Sequence, residues 1–225
     1  PGAKAIYERA AANGKRVQAQ GGAKNHVIVT ETADLDFAAQ KAVSSALACG
    51  GERCLANDNI LVEESVYDEF LDRVLTEAES QVVGDGLDDE TDIGALITPE
   101  HEQRVREFIE SGIDEGAELL LDGRDVKVPG YEGGNFLAPT VFGDVDPEMR
   151  IAREEIFGPV MGLMAVEDID EAATALDALL DLYEGDSDRE MDHWAEIWTA
   201  VGNLDADTAE EYAGRVAAGC GVAER

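Results

Sequence analysis

The chain has 225 residues, 44% of them hydrophobic, and carries 50 acidic against 17 basic side chains for a formal net charge of −33. That length and apolar content allow one sizeable core or two small ones. Carboxylates spread along the whole chain repel phosphate backbones and acidic headgroups, which excludes nucleic acid and anionic membrane as partners. The same surplus suits a high-salt cytoplasm, where dissolved ions screen the self-repulsion. No signal peptide and no apolar run near the ~18 residues of a membrane span is present, so the expected location is cytoplasmic. Three cysteines, Cys49, Cys54 and Cys220, are too few and too odd for a disulfide framework. Cys49 and Cys54 share a Gly-rich turn without a nearby histidine, so no metal site is expected.

In chain order, residues 4–13 read as a helix ended by Gly14. Arg16–Ala19 and His26–Thr30 read as short strands around the turn Gly21-Gly22. Asp34 caps an alanine-rich helix running to Leu47, and Ile60–Val62 is a short apolar strand. Ser65, with Asp68 three residues on, opens a helix that aligns Val66, Phe70 and Val74 on one face. Gly84-Asp85-Gly86 begins an exposed acidic loop. Thr98-Pro99 is an N-cap with proline at the first helical position, followed by the stripe Val105, Phe108, Ile109, with Gly112 weakening the end. Ala117–Leu121 is a strand, Phe136–Val141 is extended around Pro139, and Met161–Val166 is an apolar strand buried on both faces. This alternation predicts an α/β fold with a mainly parallel sheet flanked by helices. Beyond Ala172 only helices are expected: Ser187–Glu190 is a capping box, Trp194, Ile197 and Val201 follow at helical spacing, and Leu204–Ala218 is a second acidic helix.

Three segments carry candidate chemistry. In Gly50-Gly51-Glu52-Arg53-Cys54-Leu55, two glycines let the backbone turn tightly and present a sulfur, and Arg53 beside it favours the thiolate while Glu52 partly offsets it. The alternative is a buried, inert cysteine, the expectation for Cys49 and Cys220. Gln20-Gly21-Gly22-Ala23-Lys24-Asn25-His26 is a Gly-rich turn with a cation. Glu154-Glu155-Ile156-Phe157-Gly158-Pro159-Val160 is a charged pair leading through a turn into a buried strand, and by itself reads as solvated surface.

Taken together and in this order, with Ile93-Gly94-Ala95-Leu96-Ile97 and Asn135–Val141 between them, the segments resemble the aldehyde dehydrogenase superfamily. The stretches 6–13 and 21–26, and arginine directly before the cysteine, resemble its CoA-acylating methylmalonate-semialdehyde branch. The resemblance covers about residues 1–173. It implies that residues 1–18 are a remnant of a coenzyme-binding domain and that 19–173 are part of the catalytic domain; residues 174–225 lie outside it and read as an acidic helical extension of unknown origin.

By this resemblance Cys54 attacks an aldehyde carbonyl and ends as a thioester, hydride passing to NAD. Its backbone N–H donates one oxyanion contact. Arg53 holds the substrate carboxylate in bidentate fashion. Glu155 receives the nicotinamide ribose hydroxyls, and Phe157 flanks the nicotinamide. The hydrolytic members' water-activating glutamate is replaced by Ala19, followed by Gln20. That loss suits transfer of the acyl group to coenzyme A, whose thiol ionises more readily than water, giving propionyl-CoA or acetyl-CoA. The implied partners are a small semialdehyde and further copies of the chain or a full-length relative. The alternatives are a truncated chain without dehydrogenase activity, an assembly partner of such a relative, and a thiol esterase that needs no NAD.

Overall fold

The computed structural model describes residues 2–19, 21–181 and 197–200. Among these residues the α-helices are α1 (Gly2–Ala12), α2 (Leu35–Leu47), α3 (Tyr67–Glu79), α4 (Pro99–Glu115), α5 (Arg150–Arg153) and α6 (Ile169–Asp181). The strands among the described residues are β1 (His26–Val29), β2 (Asn59–Glu63), β3 (Glu118–Leu121), β4 (Thr140–Gly143), β5 (Val160–Val166) and β6 (Ile197–Ala200). They form one sheet in the order β3-β4-β5-β2-β1-β6, parallel throughout except for the antiparallel β3–β4 pair.

The central strands are apolar on both faces because both faces are covered. Alternate residues point opposite ways. Val27, Val29, Ile60, Val62, Met161 and Leu163 pack beneath α2 and α3, through Ala38, Ala42, Val43 and Ala46 of α2 and Phe70, Val74 and Ala78 of α3. Ile28, Leu61, Val160, Met164 and Val166 pack on the other face against Val105, Phe108 and Ile109 of α4 and Ala172, Leu176 and Leu179 of α6. The small alanine stripe of α2 lets that helix lie close to the sheet. The result is the expected α/β architecture, a mostly parallel sheet flanked by helices.

Several local expectations meet a different outcome. Residues 15–19 are irregular rather than a strand, and among the described residues no strand pairs with them. Ser65 is not a cap: residues 64–66 form a single 3₁₀ turn, and α3 starts at Tyr67 with Val66 as an N-cap that makes no side-chain bond. Helix α4 continues past Gly112 to Glu115 and closes on Gly116. Gly112 is a packing requirement, since a Cβ there would stand 3.0 Å from both Ile151 Cδ1 and Phe142 Cζ. Helix α6 runs from Ile169 to Asp181, and its Leu176 and Leu179 join the core. Residues 197–200 form a strand, not part of a helix, and pair in parallel with β1 from His26↔Ile197 to Val29↔Ala200. The capping box at 187–190, the helix at 204–218 and Cys220 lie outside the described residues.

The sheet order explains why segments far apart in sequence meet. β5, β2 and β1 are neighbours and parallel, so the loops entering them lie side by side at their amino ends. Those loops are residues 154–159, 52–58 and 21–25. Open α/β sheets more often bind ligands at the carboxyl ends of their strands, so this convergence is the less common arrangement.

Candidate active site

Cys54 sits on a β-turn, Arg53 to Ala56, closed by the Ala56 N–H on the Arg53 carbonyl at 3.1 Å. Cys54 and Leu55 are its exposed central residues. The turn follows an unusual backbone run in which Cys49, Gly50 and Gly51 all have positive φ, 57°, 67° and 70°. Cys49 is exposed rather than core, because this left-handed run lifts it off the end of α2. Gly51 is required on two counts: its φ disfavours a side chain, and a Cβ would lie 2.2 Å from the Gly158 carbonyl oxygen. The cysteine loop and the 154–159 loop therefore touch backbone to backbone.

Arg53, Glu155 and Phe157 line one small cleft, with Ala23, Asn25, Gly51, Ala56, Asp58 and Gly158 completing its wall. Arg53 is partly committed inside the protein: its Nη2 donates to the Ser45 carbonyl of α2 at 2.7 Å, while its buried Nε has no acceptor among the described residues. Burial pushes the Glu155 carboxyl above its ordinary range, Asp58 adds to the shift, and the Ala23 N–H, Arg104 and Lys24 oppose it. Phe157 holds a left-handed φ of 62°, uncommon for a bulky residue. The flanking carbonyls show what fixes it. Arg104 of α4 donates to the carbonyls of Glu155 at 2.8 Å and Ile156 at 2.6 Å, and His101 Nε2 donates to that of Phe157 at 2.6 Å. The rings of His101 and Phe157 meet edge to face at 6.1 Å. His101 also stands 3.4 Å from Glu52 Oε1, which accepts the Ile97 N–H at 3.2 Å. Glu154 faces solvent and pairs with Arg150.

Lys24, Asn25 and His26 are all buried and grip the chain after Cys54. Lys24 Nζ pairs with Asp58 Oδ2 at 2.6 Å, Asn25 Nδ2 donates to the carbonyls of Cys54 and Ala56 at 2.8 and 3.0 Å, and His26 Nδ1 lies 3.2 Å from Asn59 Nδ2. Burial raises the Asp58 carboxyl against the pull of Lys24, and its Oδ1 has no hydrogen-bond partner among the described residues. Asn59 Nδ2 is a donor, bonding the Ala152 carbonyl at 2.7 Å, so His26 Nδ1 is the acceptor and the ring is neutral. Sequence reasoning missed Ser45, His101 and Arg104 as supports of the site. It saw Lys24 only as a cation in a turn.

Burial, with help from Lys24, lowers the His26 pKa from 6.5 to about 3. The folded pKa is depressed, so stability is full above pH 6.5. It falls as the pH drops towards 3, because the unfolded chain takes up the proton and the folded one does not. The expected loss from this group over that window is on the order of 5 kcal/mol. Urea unfolding from pH 7 to 4 should show it, and His26→Gln should flatten that part of the profile.

Comparison with known proteins places the fold and these segments in context. The sequence model of the aldehyde dehydrogenase family matches residues 2–179. Malonate-semialdehyde dehydrogenase 2 of Shouchella clausii is 43% identical over 172 residues, 76% of this chain and 35% of that protein. The enzyme of the same name from Bacillus mycoides is 44% identical over 172 residues, with the same two shares. The chain thus spans about a third of the length of these relatives. Among solved structures, a putative methylmalonate-semialdehyde dehydrogenase from Sinorhizobium meliloti 1021 complexed with NAD superposes with a TM-score of 0.77 at 37% identity, covering 96% of this chain and 41% of that one. The methylmalonate-semialdehyde dehydrogenase of Oceanimonas doudoroffii gives 0.78 at 34% identity, covering 96% and 42%. With four-fifths of its length matched by the family's sequence model and its sheet superposed on solved members, this chain belongs to the aldehyde dehydrogenase family.

Proposed function

We propose that this chain carries the nucleophile of an NAD-dependent oxidoreductase that converts methylmalonate or malonate semialdehyde to propionyl-CoA or acetyl-CoA through a thioester on Cys54. The carrying observation is that an exposed cysteine stands on a tight turn whose two end residues, Arg53 and Ala56, line a cleft shared with Glu155 and Phe157. The Cys54 thiolate attacks the aldehyde carbon. A C–S bond forms, the carbonyl electron pair moves to oxygen, and the Cys54 N–H stabilises the oxyanion. Arg53 attracts the substrate carboxylate with the part of its guanidinium that Ser45 does not occupy.

The residues present fit the nicotinamide-ribose end of NAD. The Glu155 carboxylate on the cleft wall can accept ribose hydroxyls, and the Phe157 ring, held by His101, offers an apolar flank. NAD, when bound, accepts the hydride that leaves the substrate carbon. Ala19 is buried and brings no base, so water is a poor acceptor of the acyl group. The bond between the substrate's carboxylate carbon and its α-carbon breaks, carbon dioxide leaves and the α-carbon takes a proton from solvent; the coenzyme A thiolate then attacks the thioester carbonyl, and its new C–S bond replaces the bond to Cys54, restoring the Cys54 thiolate. The acidic surface suits a salt-rich cytoplasm as the working medium.

Iodoacetamide labelling at neutral pH, read peptide by peptide, tests the nucleophile. Cys54 should be alkylated about tenfold faster than Cys49, which is also exposed but is not flanked by residues of the cleft. Equal rates at Cys54, Cys49 and Cys220 would overturn the proposal.

A further inference from the structure

We infer that Asn25 is a positioning residue for Cys54, a role that rests on Cys54 being the nucleophile. In the turn from Arg53 to Ala56, the closing bond uses only the Arg53 carbonyl. The Cys54 carbonyl is left outside the turn, and no helix or strand holds the chain between Gly51 and Asn59. Asn25 supplies what is missing. Its one amide nitrogen reaches the carbonyls of Cys54, at 2.8 Å, and Ala56, at 3.0 Å, so a single side chain fastens both ends of the Cys54–Ala56 segment. Two carbonyl acceptors require the nitrogen, not the oxygen, of the side-chain amide at that place. Asn25 is itself held firmly: it is 4% exposed, lies one residue before β1, and its own carbonyl accepts the Asn59 N–H at 3.3 Å. Fixing the Cys54 carbonyl fixes the ψ of Cys54 and hence the direction in which its Cα–Cβ bond presents the sulfur. From the opposite side Ser45 of α2 holds Arg53 and Asn57, so the turn is strapped to the sheet and to a helix at once.

Asn25→Asp is nearly the same shape but sets a carboxylate against two carbonyl oxygens. The test follows iodoacetamide alkylation of the folded protein between pH 6 and 9, with Cys49 as internal reference, alongside thermal unfolding. The expected result is a Cys54 to Cys49 rate ratio about tenfold below the unsubstituted protein and a changed pH profile at Cys54. Should Asn25→Asp not fold, Asn25→Ser is read in the same way; it keeps a hydroxyl donor and should recover part of the ratio. An unchanged ratio and pH profile, even with a lowered unfolding midpoint, would make Asn25 structural only and overturn the inference. Failure of the underlying reading is distinct: Cys54 would then be no faster than Cys49 already in the unsubstituted protein.

Discussion

Gly51→Ala is expected to destabilise the protein by roughly 2–5 kcal/mol, combining a left-handed backbone that costs an L-residue about 1–2 kcal/mol with overpacking that costs about 1–3. The methyl group would lie 2.2 Å from the Gly158 oxygen and 3.1 Å from the Ala46 oxygen. All of these are backbone or backbone-bonded positions, so no flexible side chain can swing aside. Either the cysteine loop or the 154–159 loop must move. Urea unfolding measures the effect, and Gly86→Ala is the control, because a Cβ there meets nothing within 4 Å. A loss at Gly51 no larger than at Gly86 would show that the two loops are not in contact.

The second large effect concerns chemistry rather than folding. With an activated ester such as p-nitrophenyl acetate, the chain should accumulate an acyl group on Cys54, visible as a nitrophenolate burst and as a mass increase on the Cys54 peptide. Cys54→Ser should lower that rate by at least about 10³-fold, since a hydroxyl without a base is a far weaker nucleophile than a thiolate. Stability should hardly change, because the side chain is exposed and the substitution keeps its size. A burst of equal size in Cys54→Ser would move the reactive group elsewhere.

What could be read from the sequence follows a physical division. Apolar runs and stripes were legible: Ile60–Val62, Met161–Val166 and the alanines of α2 announce elements buried on one or both faces, and the parallel sheet follows from their alternation. The strand at 197–200 was not legible, because a short apolar run of four residues fits a buried strand as well as one turn of helix, and Trp194, Ile197 and Val201 also satisfy the helical period. Only a partner strand decides between them. Ser65 failed as a cap for a similar reason: the 3₁₀ turn at 64–66 used its residues before the helix began. The candidate site was visible as an ordered set of motifs, and Arg53, Glu155 and Phe157 do share a cleft. Its supports were not. His101 and Arg104 come from α4, more than fifty residues before Glu155 and Phe157 or after Cys49, and nothing in their own neighbourhood marks them. Asn25 was within a segment singled out for its glycines, but its target carbonyls carry no sequence signature.

The pairing of β6 with β1 has a kinetic side. Residue 26 lies beside residue 197, about 170 positions away, whereas β1 and β2 are joined through a single helix. Closing so long a loop is entropically slow, and a four-residue ladder returns little for it. The β1 edge is therefore the last part of the sheet to be completed as the chain collapses, and until then a row of unpaired amides and carbonyls stands open to any other extended segment that reaches it first.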